Sequence, residues 1–388
     1  MKIIAFYLPQ FHDIPENDEW WGKGFTEWDN VKKATPLFEG HQQPRVPYNN
    51  NYYNLLDHDV KKWQSNIAQE YGIYGFCYYH YWFNGKLLLE RPMEQMLRNK
   101  EITIPFCICW ANEQWTKAWI GENKVLIAQN YGARKEWEDH FNYLLPFFKD
   151  ERYIKENNKP LMIIYRPNIV SCLNEMLDVW NEMAICNGFN GLTYAYQQMW
   201  PNDDRNKDDS RFAYDIEFQP SYGLKEAYKG KHEFLRKMKR MFSNLIERVT
   251  GYNIRLIGQG KLTGNRIKYD TVWNAILNEM PESKKSIPGA FVGWDNTPRH
   301  GDKGRVFTDD TPEKFQKYLS CQIKRAKDVY DKDMIFMYAW NEWAEGGYLE
   351  PDERYGYGYL EAIKNALIEN KVFPNRRKID DFNCDDDI

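Results

Sequence analysis

Long apolar runs are missing from this chain. No stretch approaches the roughly 18 residues that a membrane-spanning helix requires, so a helical span is excluded. A dominant charge is missing too. The 52 Lys and Arg nearly balance the 56 Asp and Glu, leaving a net charge of -4, so no global field draws nucleic acid or an anionic membrane. The cysteines do not form a disulfide framework. There are seven, an odd count, and Cys77, Cys107, Cys109, Cys172 and Cys186 lie in apolar runs where a thiol packs as a small hydrophobe. No Cys or His pairs have zinc spacing, so no metal is expected. No Gly-rich loop follows a strand, and there is no G-x-S-x-G elbow or H-E-x-x-H helix, which removes the usual nucleotide-hydrolase, esterase and zincin readings. The N-terminal apolar stretch is too short for a signal h-region and no small-residue cleavage site follows it. The expectation is a cytoplasmic chain, or a periplasmic one if a leader preceded it. It would need no cofactor and act as a monomer by default.

Aromatic residues are abundant. They make up 16% of the chain, with 15 Trp and 27 Tyr against 21 Phe, so the excess lies in rings that carry a polar handle. Such rings serve equally in a large core or on the face of a sugar. Their placement favours the second use, because they gather at the ends of short apolar runs that read as strands. Eight such runs recur: Lys2 to Gln10, Tyr74 to Phe83, Ile104 to Asn112, Pro160 to Pro167, Leu192 to Trp200, Ala213 to Pro220, Gly289 to Asp295 and Met334 to Trp340. Helical patterns alternate with them, among them Asp57 to Tyr71, Lys135 to Lys149, Val170 to Asn187, Glu233 to Val249 and Thr311 to Lys327. The last opens with Thr311 as N-cap and Pro312 behind it.

Repeated strand–helix units with strands apolar on both faces predict an α/β fold, a single (β/α)₈ TIM barrel over residues 1–375, with an acidic tail over 376–388. A doubly wound open sheet is the alternative. Long insertions, Phe11 to Asn54 and Ser221 to Ile287, follow strand ends and so fall on the C-terminal face, where barrels build their sites.

The eighth run leads into Asn341-Glu342-Trp343-Ala344-Glu345-Gly346, which places a pair of carboxylates on that face, three residues apart. Spacing of three on a helical turn brings side chains to one side. Glycosidic cleavage needs one protonated and one ionised carboxyl, with surroundings that push their pKa values apart. Glu342 and Glu345 are the candidate catalytic residues, with Trp340, Trp343 and Tyr348 as an apolar wall. Candidate sugar contacts come from the other strand ends: Tyr7, Gln10 and His12; Tyr78, His80 and Trp82; Trp110, Asn112 and Glu113; Arg166; Gln197; Trp294, Asp295 and Arg299; and Asn341 and Tyr348. His80 alternates with rings on a strand and reads equally as a buried structural histidine. Arg166 could pair with a rim carboxylate or clamp an anionic group. Trp119 and Trp200 belong to the same aromatic set, and the doublets Asp203-Asp204 and Asp309-Asp310 read as solvated turns more readily than as metal holders.

Phe6-Tyr7-Leu8-Pro9-Gln10-Phe11-His12, Trp110-Ala111-Asn112-Glu113, Gly293-Trp294-Asp295-Asn296-Thr297-Pro298-Arg299 and Trp340 to Gly346 resemble the WbsX-type family, nearly end to end. That family is related to glycoside hydrolase family 99, barrel endo-α-mannosidases and endo-α-mannanases, and is often labelled a polysaccharide-biosynthesis glycosyltransferase. The resemblance implies that Glu342 takes the proton of a sugar 2-hydroxyl, giving a 1,2-anhydro intermediate, while Glu345 protonates the leaving oxygen. Ordinary retaining glycosidases instead use a carboxylate nucleophile about 5–5.5 Å from the acid. Family 99 usually reads E-W-H-E, and Ala344 stands here in place of the His. Three functions fit these observations: a retaining hydrolase or transglycosylase acting on a microbial oligo- or polysaccharide, a glycosyltransferase of O-antigen or capsule synthesis, and a non-catalytic sugar-binding barrel.

Overall fold

A computed structural model describes residues 1–116, 125–199, 209–227 and 265–374. Trp119, Trp200, the Asp203-Asp204 doublet, the helix expected over Glu233 to Val249 and the acidic tail lie outside the described residues. The barrel strands are β1 (Lys2–Tyr7), β2 (Ile73–Phe83), β3 (Phe106–Trp110), β4 (Lys159–Ile164), β5 (Thr193–Gln198), β6 (Tyr214–Glu217), β7 (Ser286–Ile287), β8 (Gly289–Phe291) and β9 (Met334–Tyr338).

Parallel pairing runs unbroken from β7 through β6, β5, β4, β3, β2, β1 and β9 to β8. The ends of this path, β7 and β8, are separated only by Pro288. They are halves of one strand, the first paired to β6 and the second to β9, so the ring closes as a (β/α)₈ barrel. Closure rules out the open doubly wound sheet. Pro288 cannot donate a ladder hydrogen bond, which is why the strand divides there, but its carbonyl still accepts from Phe336 N at 3.3 Å. Ser286 and Ile287 precede this break and extend the strand upstream of the sequence expectation, which began at Gly289.

The helices in chain order are α1 (Pro15–Trp21), α2 (Glu27–Lys33), α3 (His58–Glu70), α4 (Arg91–Arg98), α5 (Arg134–Lys149), α6 (Leu173–Cys186), α7 (Ser221–Ala227), α8 (Tyr269–Asn278), α9 (Thr297–His300), α10 (Pro312–Asp328) and α11 (Gly358–Glu369). Helix α10 begins as expected, with Thr311 Oγ1 accepting from Lys314 N at 3.4 Å. The α1 and α2 helices both belong to the insertion after β1.

Side-chain alternation sorts the strand residues into two layers. Phe6 stacks on Tyr79 at 5.6 Å between ring centres and meets Phe218 at 5.5 Å and Phe336 at 5.6 Å, forming an aromatic column inside the barrel. Tyr338 continues it upward, 5.3 Å from Phe218. Neighbouring positions point the other way, between barrel and helices. Tyr7 donates to Gln64 Oε1 of α3 at 2.7 Å, and Trp110 packs against Trp180 of α6.

Glu217 is buried on this outer layer beside Tyr330, whose hydroxyl lies 2.9 Å from Oε2. Burial, reinforced by the charge of Asp215, pushes its carboxyl up to about 8. A carboxyl raised above its unfolded value near 4.5 stabilises the fold fully below that value, and the benefit is lost as pH rises through about 8. Glu217→Gln is therefore expected to leave stability at pH 4 nearly unchanged and to raise it at pH 8.5 by about 2–4 kcal/mol, since each pKa unit corresponds to about 1.4 kcal/mol. Urea unfolding at both pH values checks this. Equal effects at the two values would contradict it.

Candidate active site

The turn after β9 is held rigidly to β1. Asn341 accepts from Leu8 N at 2.8 Å through Oδ1 and donates to Leu8 O at 2.9 Å through Nδ2, so its amide replaces a rung of the sheet. Asn341 and Glu342 then pair antiparallel with Gly347 and Tyr348, enclosing a short 3₁₀ turn over Trp343–Glu345. Gly346 closes that turn at φ +66°, a left-handed conformation suited to glycine. Gly347 is small for a different reason: a Cβ there would collide with the Tyr338 ring. Tyr338 in turn donates its hydroxyl to Glu345 Oε2. Beneath the turn, Trp343 stacks on Tyr348 at 3.7 Å and donates from Nε1 to Glu350 Oε2 at 2.7 Å. Glu350 is wholly enclosed and also accepts from Tyr53 and Gln64, at 2.8 and 2.6 Å.

Above the barrel lies a cleft of about 430 Å³. Its floor is the top of the aromatic column, with Tyr79, Tyr165, Phe218 and Tyr338, and its walls include Trp21, Tyr81, Trp115 and Trp294. Glu342 and Glu345 both face it. Arg299, from α9, joins them: Nη1 is 2.6 Å from Glu345 Oε1 and Nη2 is 2.8 Å from Glu342 Oε1. The same Nη2 is 3.0 Å from Oε2 of Glu27, the first residue of α2. One guanidinium thus serves three carboxylates. Burial drives the Glu342 carboxyl well above the ordinary range; Glu345 and Glu27 push it further, while Arg299 opposes them. With one cation for three acids in low dielectric, the protonated form of Glu342 is favoured.

The sequence candidates divide between this cleft and the surrounding walls. Gln10, Glu113, Trp294, Arg299, Glu342 and Glu345 line it. Arg166 forms an ion pair with Glu113, which lines the cleft. Tyr78, His80 and Trp82 need correction, because β2 turns these alternate residues toward the helices while Tyr79 and Tyr81 enter the cleft. His80 and His140 are 2.9 Å apart between Nε2 atoms, and Trp82 stacks on His140 at 4.5 Å. Burial lowers His80 to about 3, so it packs as a neutral ring. Tyr7 and Trp110 are likewise on the outer layer.

Asn112 binds the backbone of Arg166, and Asn341 that of Leu8. Gln197 reaches Tyr79 from below, donating at 3.0 Å. His12 is fully enclosed, and burial with the nearby Arg91 lowers it to about 4. Asp295 is enclosed too. Burial would raise its carboxyl, but His41 at 2.9 Å, Arg45, and Thr297 at 2.6 Å together hold it below the usual value. Its backbone N–H donates to Glu345 O at 2.6 Å, so it braces the turn from behind. Tyr348 belongs to the same support, donating to Asp352 at 2.6 Å. Ala344 is fully buried and does not line the cleft.

Glu27 is the main residue that the sequence reading did not select. Nothing in Glu27-Trp28-Asp29-Asn30 distinguishes it from an ordinary acidic helix start, since its partner is 272 positions away.

The family described as Glycosyltransferase WbsX matches residues 3–363. The chain belongs to that family. It is 36% identical over 372 residues to an uncharacterized protein, WxcX, of Xanthomonas campestris pv. campestris, in strains B100 and ATCC 33913. That alignment covers 94% of this chain and 49% of the relative, so the chain spans about half the length of the curated relatives it matches. In fold, this WbsX-family chain is similar to the family 99 endo-alpha-mannosidase from Bacteroides thetaiotaomicron, with TM-score 0.55 and 12% identity over 95% of this chain and 97% of that one. It is also similar to a glycoside hydrolase-like protein, with TM-score 0.53 and 13% identity over 94% and 93% of the two chains. At these identities the likeness concerns the barrel. Among the described residues no helix is long and apolar enough to cross a membrane.

Proposed function

We propose that this WbsX-family barrel is a retaining, glycoside-hydrolase-like enzyme that cleaves or rearranges glycosidic bonds of a microbial polysaccharide. The observation that carries the proposal is a pair of cleft carboxylates, Glu342 and Glu345, bridged by one arginine in an aromatic-walled cleft. Aromatic faces suit sugar rings. A buried carboxyl raised well above the ordinary range, beside a second carboxyl, suits glycosidic cleavage.

The chemistry follows the family 99 pattern. Glu342 takes the proton of the 2-hydroxyl as O2 bonds to the anomeric carbon. The glycosidic C–O bond breaks while Glu345 gives its proton to the leaving oxygen. In the second half, Glu345 takes a proton from water attacking the anomeric carbon, the C1–O2 bond opens, and O2 regains its proton from Glu342. Two inversions give net retention. Burial favours a proton on Glu342, whereas the base role requires that proton on Glu345. Arg299 touches both carboxylates and is placed to hold the charge as the proton changes sides.

The family description supports a second reading, a glycosyltransferase of O-antigen or capsule synthesis. Incubation with microbial polysaccharides, followed by NMR of the newly formed reducing ends, separates the two. Release of oligosaccharide with retained anomeric configuration is expected. A chain that releases nothing but transfers sugar from a nucleotide donor would establish the second reading instead.

A further inference from the structure

A second cleft, of about 360 Å³, opens beside the first and shares Trp21, Phe25 and Arg299 with it. Its charge is opposite in character. The first cleft presents Glu27, Glu113, Glu342 and Glu345 among its lining residues, so an anionic sugar there would face like charge. The second presents Lys23 and Lys33, both exposed, and the buried amide of Asn30.

Neither lysine has a carboxylate partner among the described residues. Lys32, beside Lys33, is occupied differently, lying 4.3 Å over the ring of Tyr52. Asp29, the acid in the second cleft, accepts from Thr26 N at 2.8 Å and so completes the cap of α2. The wall between the clefts is Trp21 with Phe25, rings 5.9 Å apart and tilted by 36°. A saccharide chain can pass such a wall with a ring face against it.

We propose that the second cleft is a subsite for an anionic group, a carboxylate or phosphate, carried by the part of the substrate beyond the reacting sugar. This rests on the saccharide reading of the first cleft and extends it to a substrate class: a neutral sugar at Glu342 and Glu345, with an anion on the Trp21 side. The shared chemistry leaves two sources, a uronate within the glycan or the phosphate of an activated sugar.

Calorimetry on the full chain tests it with a glucuronate-containing tetrasaccharide, its carboxyl-reduced neutral counterpart, and inorganic pyrophosphate. Two solvent-facing cations predict about tenfold tighter binding of the acidic form than of the neutral one at low salt, declining as salt is added. K23A/K33A is expected to bring that ratio close to one, and K23R/K33R to restore it. Tight pyrophosphate binding that also depends on both lysines would assign the anion to an activated sugar, whereas preference for the tetrasaccharide assigns it to the glycan. Ratios near one with pyrophosphate unbound, or an anion preference that survives K23A/K33A, would overturn the subsite. A protein that cleaves neutral glycans without any anion preference loses this inference alone. One that binds the anion but turns over no saccharide loses the proposed activity and keeps the subsite.

Discussion

Glu345→Gln and Glu342→Gln are each expected to lower turnover of a natural glycan by about 10²–10⁴, the usual range for removing a general acid or base. Glutamine keeps the size of the side chain and its capacity to accept from Arg299, so folding is expected to be retained. The substitutions should part company when the leaving group changes. An aryl glycoside with an acidic phenol departs without a proton, so Glu345→Gln should recover much of its rate on that substrate. Glu342→Gln should not, because the 2-hydroxyl still needs its proton removed. The ratio of kcat/KM on the two substrates reads this directly. If the recovery appears in Glu342→Gln instead, the acid and base roles are exchanged, which is the assignment that burial of Glu342 alone would suggest. Unchanged turnover in both variants would remove the pair from catalysis.

Arg299→Met is expected to cost about 3–5 kcal/mol of stability, the range for removing one partner of a buried ionic cluster. Three carboxylates converge on the guanidinium, and its own side chain is only 11% exposed, so solvent screens little of the loss. Without the cation, the Glu342 carboxyl loses the charge that opposes its rise by burial. Its pKa then stands further above that of the unfolded chain, so the deficit grows as pH rises beyond about 4.5. Adding Glu27→Gln to Arg299→Met should recover part of the stability by removing one repelling charge, whereas Arg299→Lys should not reproduce the wild type, because an ammonium cannot fork across separate carboxylates. Urea unfolding between pH 4.5 and 8.5 checks all three variants. A loss below 1 kcal/mol with no dependence on pH would mean that the cluster is not electrostatically coupled.

The barrel was legible because its strands are apolar on both faces and end in polar or aromatic residues, as parallel strands covered by helices must be. Glu342 and Glu345 were legible for the same reason, since a strand end fixes which barrel face a following turn occupies. The parity of β2 was not. Tyr78, Tyr79, His80, Tyr81 and Trp82 are all ring residues, so hydrophobic alternation carries no signal there, and a shift of one residue exchanges the faces. His140 decides the matter by packing against His80 and Trp82 on the outer side, and it comes from α5. Glu27 and the His41–Asp295 contact share another limitation: their partners are 272 and 254 positions away, joined only when the insertion after β1 folds over the turn after β9. Pro288 divides a strand that apolar pattern alone would begin after the break.

In the proposed mechanism Glu342 and Glu345 flank a glycosidic bond. A crystal structure of the Glu345→Gln variant with a bound oligosaccharide tests it most directly. The expected complex has a sugar ring against the aromatic floor, its 2-hydroxyl in hydrogen-bond reach of Glu342 and its glycosidic oxygen facing residue 345. A glycan bound elsewhere on the chain, with neither position in contact with it, would contradict it.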